Sequence, residues 1–353
     1  MLSALDASIS CRQGTTTSRL LASIRTKFLF SLAFAVAVLA ALSLYADAGK
    51  LASTLSEFQW GLLPAILALT LWNYGLRFLK WHFYLRQIGV RNLSAWESLI
   101  IFFAGLSMVV TPGKVGEWLK SYFLRERVGV PFFRSAPIIV AERLTDGLAM
   151  VLLASVGVAL FGLGWQVVLL VLLAAASILM VAWTPALAEV AFSIIAHLPI
   201  VKHHVSHLRE FYASAQVIFH PKNLLLGVFL GTLSWAGECV AYYLVLLGLG
   251  QPPSGELLVQ ATFILAVSSL GGSLFLMPGG LGIAEGGITG FSQFLLGLPR
   301  EQAVTSALLI RLSTLWFGVA IGLVMLLVAL RRFNAPLQAE ESQQAPEATG
   351  SSG

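Results

Sequence analysis

The sequence predicts an all-α polytopic membrane protein with about six full spans plus two re-entrant helical hairpins broken at Pro-Gly, set in an inverted repeat. Three observations carry this prediction. Of 353 residues, 57% are hydrophobic and 11% charged, against roughly a quarter charged in an average soluble domain. Apolar runs near the ~20 residues that cross hydrocarbon recur along the chain. Two such runs end at a Pro-Gly pair, Thr111-Pro112-Gly113 and Met277-Pro278-Gly279. A soluble fold could not bury this much apolar surface, so one membrane domain replaces the soluble domains that length alone would suggest.

Residues 1–27 form a polar tail carrying Arg12, Arg19, Arg25 and Lys27. The first apolar run, Phe28–Tyr45, ends at Ala46-Asp47-Ala48, which imitates a signal-peptide cleavage site. It exceeds the 7 to 15 apolar residues of a signal core, so it is assigned as the first span. Further spans are expected at Trp60–Leu79, Ala136–Phe161, Trp165–Trp183, Leu224–Leu249 and Ala303–Leu330. An even number of spans puts both termini on one side. The residues after Arg332, rich in Gln, Glu, Ala and Ser, read as a disordered tail over 333–353.

Ala95–Val110 and Leu257–Leu276 each run into a break. Proline lacks the N–H a helix needs and glycine tolerates left-handed backbone, so both helices should stop there. If Ala95–Val110 crossed, Lys114, Lys120, Arg125, Arg127 and Arg134 would face outside. If it turns back, they join Lys80, Arg86, Arg91, Lys202, Arg209, Lys222, Arg331 and Arg332 in the cytoplasm, leaving Lys50 and Arg300 outside. The positive-inside rule favours the hairpin. Non-helical backbone at membrane depth needs protein or a watery cavity around it, so the break marks a cavity. A second hairpin over 257–298 would enter from the opposite face. The domain 28–332 then divides into half-repeats of about 28–161 and 165–332, each reading span, span, hairpin, span. In both halves the break precedes an arginine, Arg143 or Arg311, by about thirty residues.

Charges inside apolar spans cost about 2.5 to 3.5 kcal/mol each at the centre, so they rarely lack a role. Here they are Arg143, Asp146, Glu238 and Arg311, with Arg77 nearer an end. Arg311 should need an anionic partner, for which Glu285 is the candidate; repeat symmetry suggests Glu117 for Arg143. These could be purely structural ion pairs. Glu238, beside small residues in Ser234-Trp235-Ala236-Gly237, could carry a proton or pack against Arg77 or a hydroxyl. Helices restarting after Pro112-Gly113 and Pro278-Gly279, with Gly116 and Gly282 following, should offer backbone N–H groups to an anion such as phosphate. The expected substrate-binding set is therefore Arg143, Arg311, Pro112, Gly113, Gly116, Pro278, Gly279 and Gly282. Glu117, Glu285, Glu238 and Asp146 are expected to gate or couple protons.

Other readings fall away. Gly279-Gly280-Leu281-Gly282 lacks the Gly-Lys-Ser/Thr of a nucleotide loop. His203-His204-x-x-His207 reads as a solvated helix face, the aspartates Asp6, Asp47 and Asp146 are far apart, and no nucleophile–base set is visible. No metal, cofactor, nucleic-acid partner or enzymatic activity is expected. The net charge of +5 is read as topology signal. Cys11 and Cys239 should lie at different depths and form no disulfide.

Thr111-Pro112-Gly113-Lys114-Val115-Gly116-Glu117, Glu142-Arg143-Leu144-x-Asp146, Pro278-Gly279-Gly280-Leu281-Gly282 and Arg311-Leu312 together resemble the lysylphosphatidylglycerol synthase transmembrane-region family, also called flippase-like or UPF0104 proteins. The likeness covers about residues 25 to 332. Longer members join this region to a cytoplasmic aminoacyl transferase domain, which has no counterpart in this sequence, and some stand-alone members are associated with hopanoid or lipid-linked sugar pathways. The resemblance implies a stand-alone lipid translocator or lipid-handling protein in a bacterial inner membrane. Its cargo would be a phosphate-bearing phospholipid or isoprenoid-linked lipid. A small-anion transporter and a non-transporting accessory protein of a lipid-modifying enzyme remain open alternatives.

Overall fold

The computed structural model describes residues 33, 36–38, 40–111, 115–196, 205–274 and 278–344. All regular structure among these residues is helical. Cys11, the 1–27 tail, Pro112, Gly113, Lys114, His203 and His204 lie outside them.

The chain opens with α1 (Val36–Ala46) and turns by 92° into α2 (Gly49–Glu57 of a helix beginning at Ala48). The turn is made at Asp47, whose φ of 67° is left-handed and whose carboxylate accepts from the Gly49 N–H at 3.0 Å. The imitation cleavage site is thus a capped corner between helices. A 3₁₀ turn at Trp60–Leu62 leads into α3 (Leu63–Gln87), which ends about two turns beyond the expected span. Ser94 then starts α4 (Ala95–Leu106) with a capping box, its hydroxyl taking the Glu97 N–H while Glu97 takes the Ser94 N–H. At ~1.5 Å per residue α4 reaches only ~18 Å, short of the ~30 Å hydrocarbon core. α5 (Val115–Val128) follows the break and α6 (Phe132–Phe161) ends at Gly162 in left-handed backbone.

α7 (Trp165–Trp183) matches the expected span, and α8 (Pro185–Ala196) and α9 (Val205–Ile218) connect it to α10 (Pro221–Gly248). α11 (Gly255–Leu274) is apolar for 20 residues and long enough to cross by itself, so the second break follows a longer arm than the first. After a 3₁₀ turn at Pro278–Gly280 come α12 (Ile283–Leu296) and α13 (Arg300–Arg311). A π turn at Leu312–Trp316 joins α13 to α14 (Phe317–Gln344). Helix therefore continues into the stretch expected to be disordered from 333, as its Leu, Ala, Glu and Gln residues permit. Among the described residues, six helices are long and apolar enough to cross, or seven if α1 and α2 form one bent span.

Packing repeats between the halves. α3 packs on α10, α4 on α14 and its counterpart α11 on α6, while α5 meets α4 and α6 as α12 meets α11 and α13. The apolar core accordingly splits into two large clusters, beside a small third of Ala46, Leu51 and Val304. One cluster, with Ile100, Phe102, Leu124 and Ile138, surrounds the first break; the other, with Tyr242, Phe263, Ile288 and Ile310, surrounds the second. α3, α6 and α10 contribute to both, and their polar residues fall between.

Close approach in this frame depends on small residues. α10 lies so near α3 that a Cβ on Gly227 would overlap the Tyr84 hydroxyl and sit 2.9 Å from the Thr145 methyl. Gly227→Ala is expected to destabilise by about 1–3 kcal/mol, with partial recovery in Gly227→Ala/Tyr84→Phe. Equal SDS-unfolding midpoints for all three proteins would contradict this packing.

Candidate functional site

The polar layer begins on α3, where Tyr74, Arg77 and Lys80 project toward the bundle centre. Lys80 is 1% exposed and Asp146, on α6, 2%. The Lys80 ammonium pairs with Asp146 and donates to Thr145 Oγ1 at 3.1 Å, and Arg77 reaches the other Asp146 oxygen at 3.3 Å. Isolated, either charge would be costly at this depth; paired, the three hold α3 against α6. Gly231 of α10 leaves room there, its Cβ position lying 3.5 Å from the Lys80 nitrogen.

On the second break, Arg311 at the end of α13 donates through Nε to Glu285 Oε1 at 2.6 Å and through its other arm to the Gly279 carbonyl. Gly279, Gly280 and Gly282 all have positive φ, between 59° and 85°, which lets the backbone curl toward that guanidinium. The second Glu285 oxygen accepts from the Gly282 N–H at 2.6 Å. This corrects one expectation: the Gly282 N–H is occupied by the protein's own carboxylate. Glu285 sits at the third helical position, where a carboxylate suits the positive helix end.

The first break is served by a different pair. Lys120 of α5 donates to Glu142 Oε2 of α6 at 2.6 Å and lies 4.5 Å above the Trp81 ring. Repeat symmetry pointed to Glu117 and Arg143. The Glu117 and Gly116 side positions lie outside what the structure describes, and the described pair on these two helices is Lys120–Glu142. Lys80 and Lys120 also drop out of the count of loop charges, because both are buried inside the bundle. Apolar residues resume after each, at Trp81, Phe83, Tyr84 and Leu85 and at Tyr122, Phe123 and Leu124, and are the sequence signal that neither lysine ends its helix.

Between the two breaks lies a cavity of about 170 Å³ that brings Arg143 and Arg311 together with Arg77, Lys120, Glu142 and Glu238. Its floor and walls include Gly105 and Val109 near the first break and Gly279 and Gly280 at the second. Tyr74 closes one side by donating to the Thr314 carbonyl in the π turn, where wider winding frees carbonyls from their usual partners. Glu238 on α10 is buried and borders the cavity. Asp146 holds Arg77 from behind, and Glu285, capped by the Gly282 N–H, holds Arg311. Four lining side chains are cationic and two are carboxylates, so the space favours an anion. His207 stacks on Phe133 at 4.8 Å, remote from this layer.

The sequence matches the family model described as the lysylphosphatidylglycerol synthase TM region over residues 28–322. It is 26% identical to a UPF0104 membrane protein of Methanothermobacter thermautotrophicus over 320 residues, covering 84% of this chain and 92% of that protein. It is 27% identical to the protein named Glycosyltransferase AglD of Haloferax volcanii over 139 residues, 39% of this chain but only 22% of that much longer relative. With nearly all the described spans and the whole polar layer inside the matched region, the chain belongs to the lysylphosphatidylglycerol synthase transmembrane-region family.

Proposed function

We propose that this protein moves a phosphate-bearing lipid, a phospholipid or an isoprenoid-linked lipid, between leaflets by alternating access, without making or breaking a covalent bond. The observation that supports the reading is the shared cavity, in which Arg143 from one half and Arg311 from the other border a single space between two apolar cores. A headgroup would pass through this space while its tails stay in hydrocarbon. The two broken hairpins would enter from opposite faces and exchange access to it. In this reading the anion competes with Glu285 for Arg311, so binding loosens the contact that closes the second hairpin. The protein would sit in a bacterial inner membrane with both termini cytoplasmic.

Proteoliposomes carrying headgroup-labelled phosphatidylglycerol test this directly. The intact protein is expected to exchange label between leaflets well above protein-free vesicles, and Arg311→Lys, which keeps the charge but not the forked donor geometry, about 10-fold more slowly. Exchange at the protein-free rate for the intact protein across several anionic lipids would overturn the proposal. It would shift the function to a small anion or to support of a lipid-modifying enzyme.

A further inference from the structure

Among the described side chains the polar layer holds four carboxylates, and three have fixed partners. Asp146 is bound by Lys80 and Arg77, Glu142 by Lys120, and Glu285 by Arg311 and the Gly282 N–H. Glu238 differs. It is 7% exposed, borders the cavity, and makes no hydrogen bond or ion pair among the described residues.

Its surroundings come from five helices. α3 brings Tyr74, Arg77 and Lys80, and α6 brings Glu142, Arg143 and Asp146. α13 brings Arg311, while α11 turns uncharged Ser269, Gly272 and Ser273 toward the same space. On α10 itself Cys239 and Tyr242 are neighbours, and the ionisable groups of α9, His207, Arg209 and Glu210, belong to the helix that joins α10 at its start. The charges that act on Glu238 are therefore Arg77 and Arg311, opposed by Asp146. Both arginines are already engaged by other carboxylates.

We infer that Glu238 is a proton-binding site coupled to occupancy of the cavity: a proton joins its carboxylate as an anion enters and leaves as the anion departs. An entering anion draws on the positive field of Arg77 and Arg311 that otherwise offsets the Glu238 charge, and it adds negative charge beside it. Either effect favours the neutral carboxyl. The proton comes from bulk water, and no bond in the cargo changes. Reciprocity then requires protonation to strengthen anion binding by the same factor that the anion strengthens proton binding. This rests on the anion-binding part of the proposed function and not on translocation of lipid.

The test uses the full chain in weakly buffered phosphatidylcholine nanodiscs with a pH-indicator dye near neutrality. Two probes are added in separate arms, dimethyl phosphate and short-chain phosphatidylglycerol, both monoanions that do not titrate in that range. About one proton should be taken up per anion bound, Glu238→Asp should retain the uptake, and Glu238→Gln should bind the anion with almost none. Uptake in both arms identifies the phosphate as the recognised group; uptake with the lipid probe alone adds a requirement for tails. Undiminished uptake in Glu238→Gln, anion binding without uptake in the intact protein, or no binding of either probe overturns the inference. Uptake without leaflet exchange would retain it and remove the lipid-transport reading instead.

Discussion

Gly322→Ala is expected to unseat the first hairpin and to cost about 3 kcal/mol, at the upper end of what one added methyl does in a packed interior. A Cβ at this position would overlap the Ser107 backbone nitrogen and lie 2.8 Å from the Leu106 carbonyl carbon. These are main-chain atoms at the end of α4, so no side chain can rotate out of the way, and α14 must move off α4 instead. Gly105, Leu106 and Val109 border the cavity, so that displacement opens its wall and leaflet exchange should fall with stability. Gly290→Ala provides the control. Nothing lies within 4 Å of its Cβ position, and alanine there should leave the fold equally or slightly more stable. SDS-driven unfolding in mixed micelles, followed through the fluorescence of the nine tryptophans, reads both. Equal midpoints for Gly322→Ala and the parent would show that α4 does not rest on α14 as described.

Asp146→Ala should cost a comparable amount, about 3–5 kcal/mol, for an electrostatic reason. It strips the ion-pair partner from Lys80, which is 1% exposed, and leaves Arg77 beside it, so two cations face each other and Lys80 keeps the Thr145 hydroxyl as its hydrogen-bond acceptor. The double change Lys80→Met/Asp146→Leu removes the charges together and keeps the volume. It should recover most of that loss, because apolar packing replaces a buried pair at little net cost. The same mixed-micelle unfolding applies. If the single change costs less than about 1 kcal/mol, water or lipid headgroups reach Lys80 and the triad is not sealed.

The helical architecture was legible because hydropathy and length report directly on the membrane, and Trp165–Trp183 shows it to the residue. The Arg311–Glu285 pair was legible for a related reason: charges are so scarce in these spans that an arginine near mid-depth narrows the choice of partner. Lys80 and Lys120 escaped the same logic. The apolar residues that follow each lysine show that its helix continues, but not which way the lysine faces, and what turns these two inward is tertiary. Asp146 lies 66 positions from Lys80 and Glu142 lies 22 from Lys120. The cap on the Gly282 N–H was hidden differently. It depends on the three-residue spacing to Glu285 combined with the left-handed backbone of the glycines, and spacing alone left the N–H open to an outside anion.

The π turn between α13 and α14 has a consequence for how one helix can serve two neighbours. Arg311 and Gly322 are eleven residues apart, and at ~100° per residue an unbroken α-helix would bring them to within ~20° of the same face. The wider winding at Leu312–Trp316 acts as a one-residue insertion and offsets that phase by about 100°. Arg311 can therefore look onto α12 and the second break while Gly322 looks onto α4 and the first. The helix carries its two contacts around its circumference like lobes on a camshaft. Wound as unbroken α-helix over the same eleven residues, both lobes would point at the same hairpin.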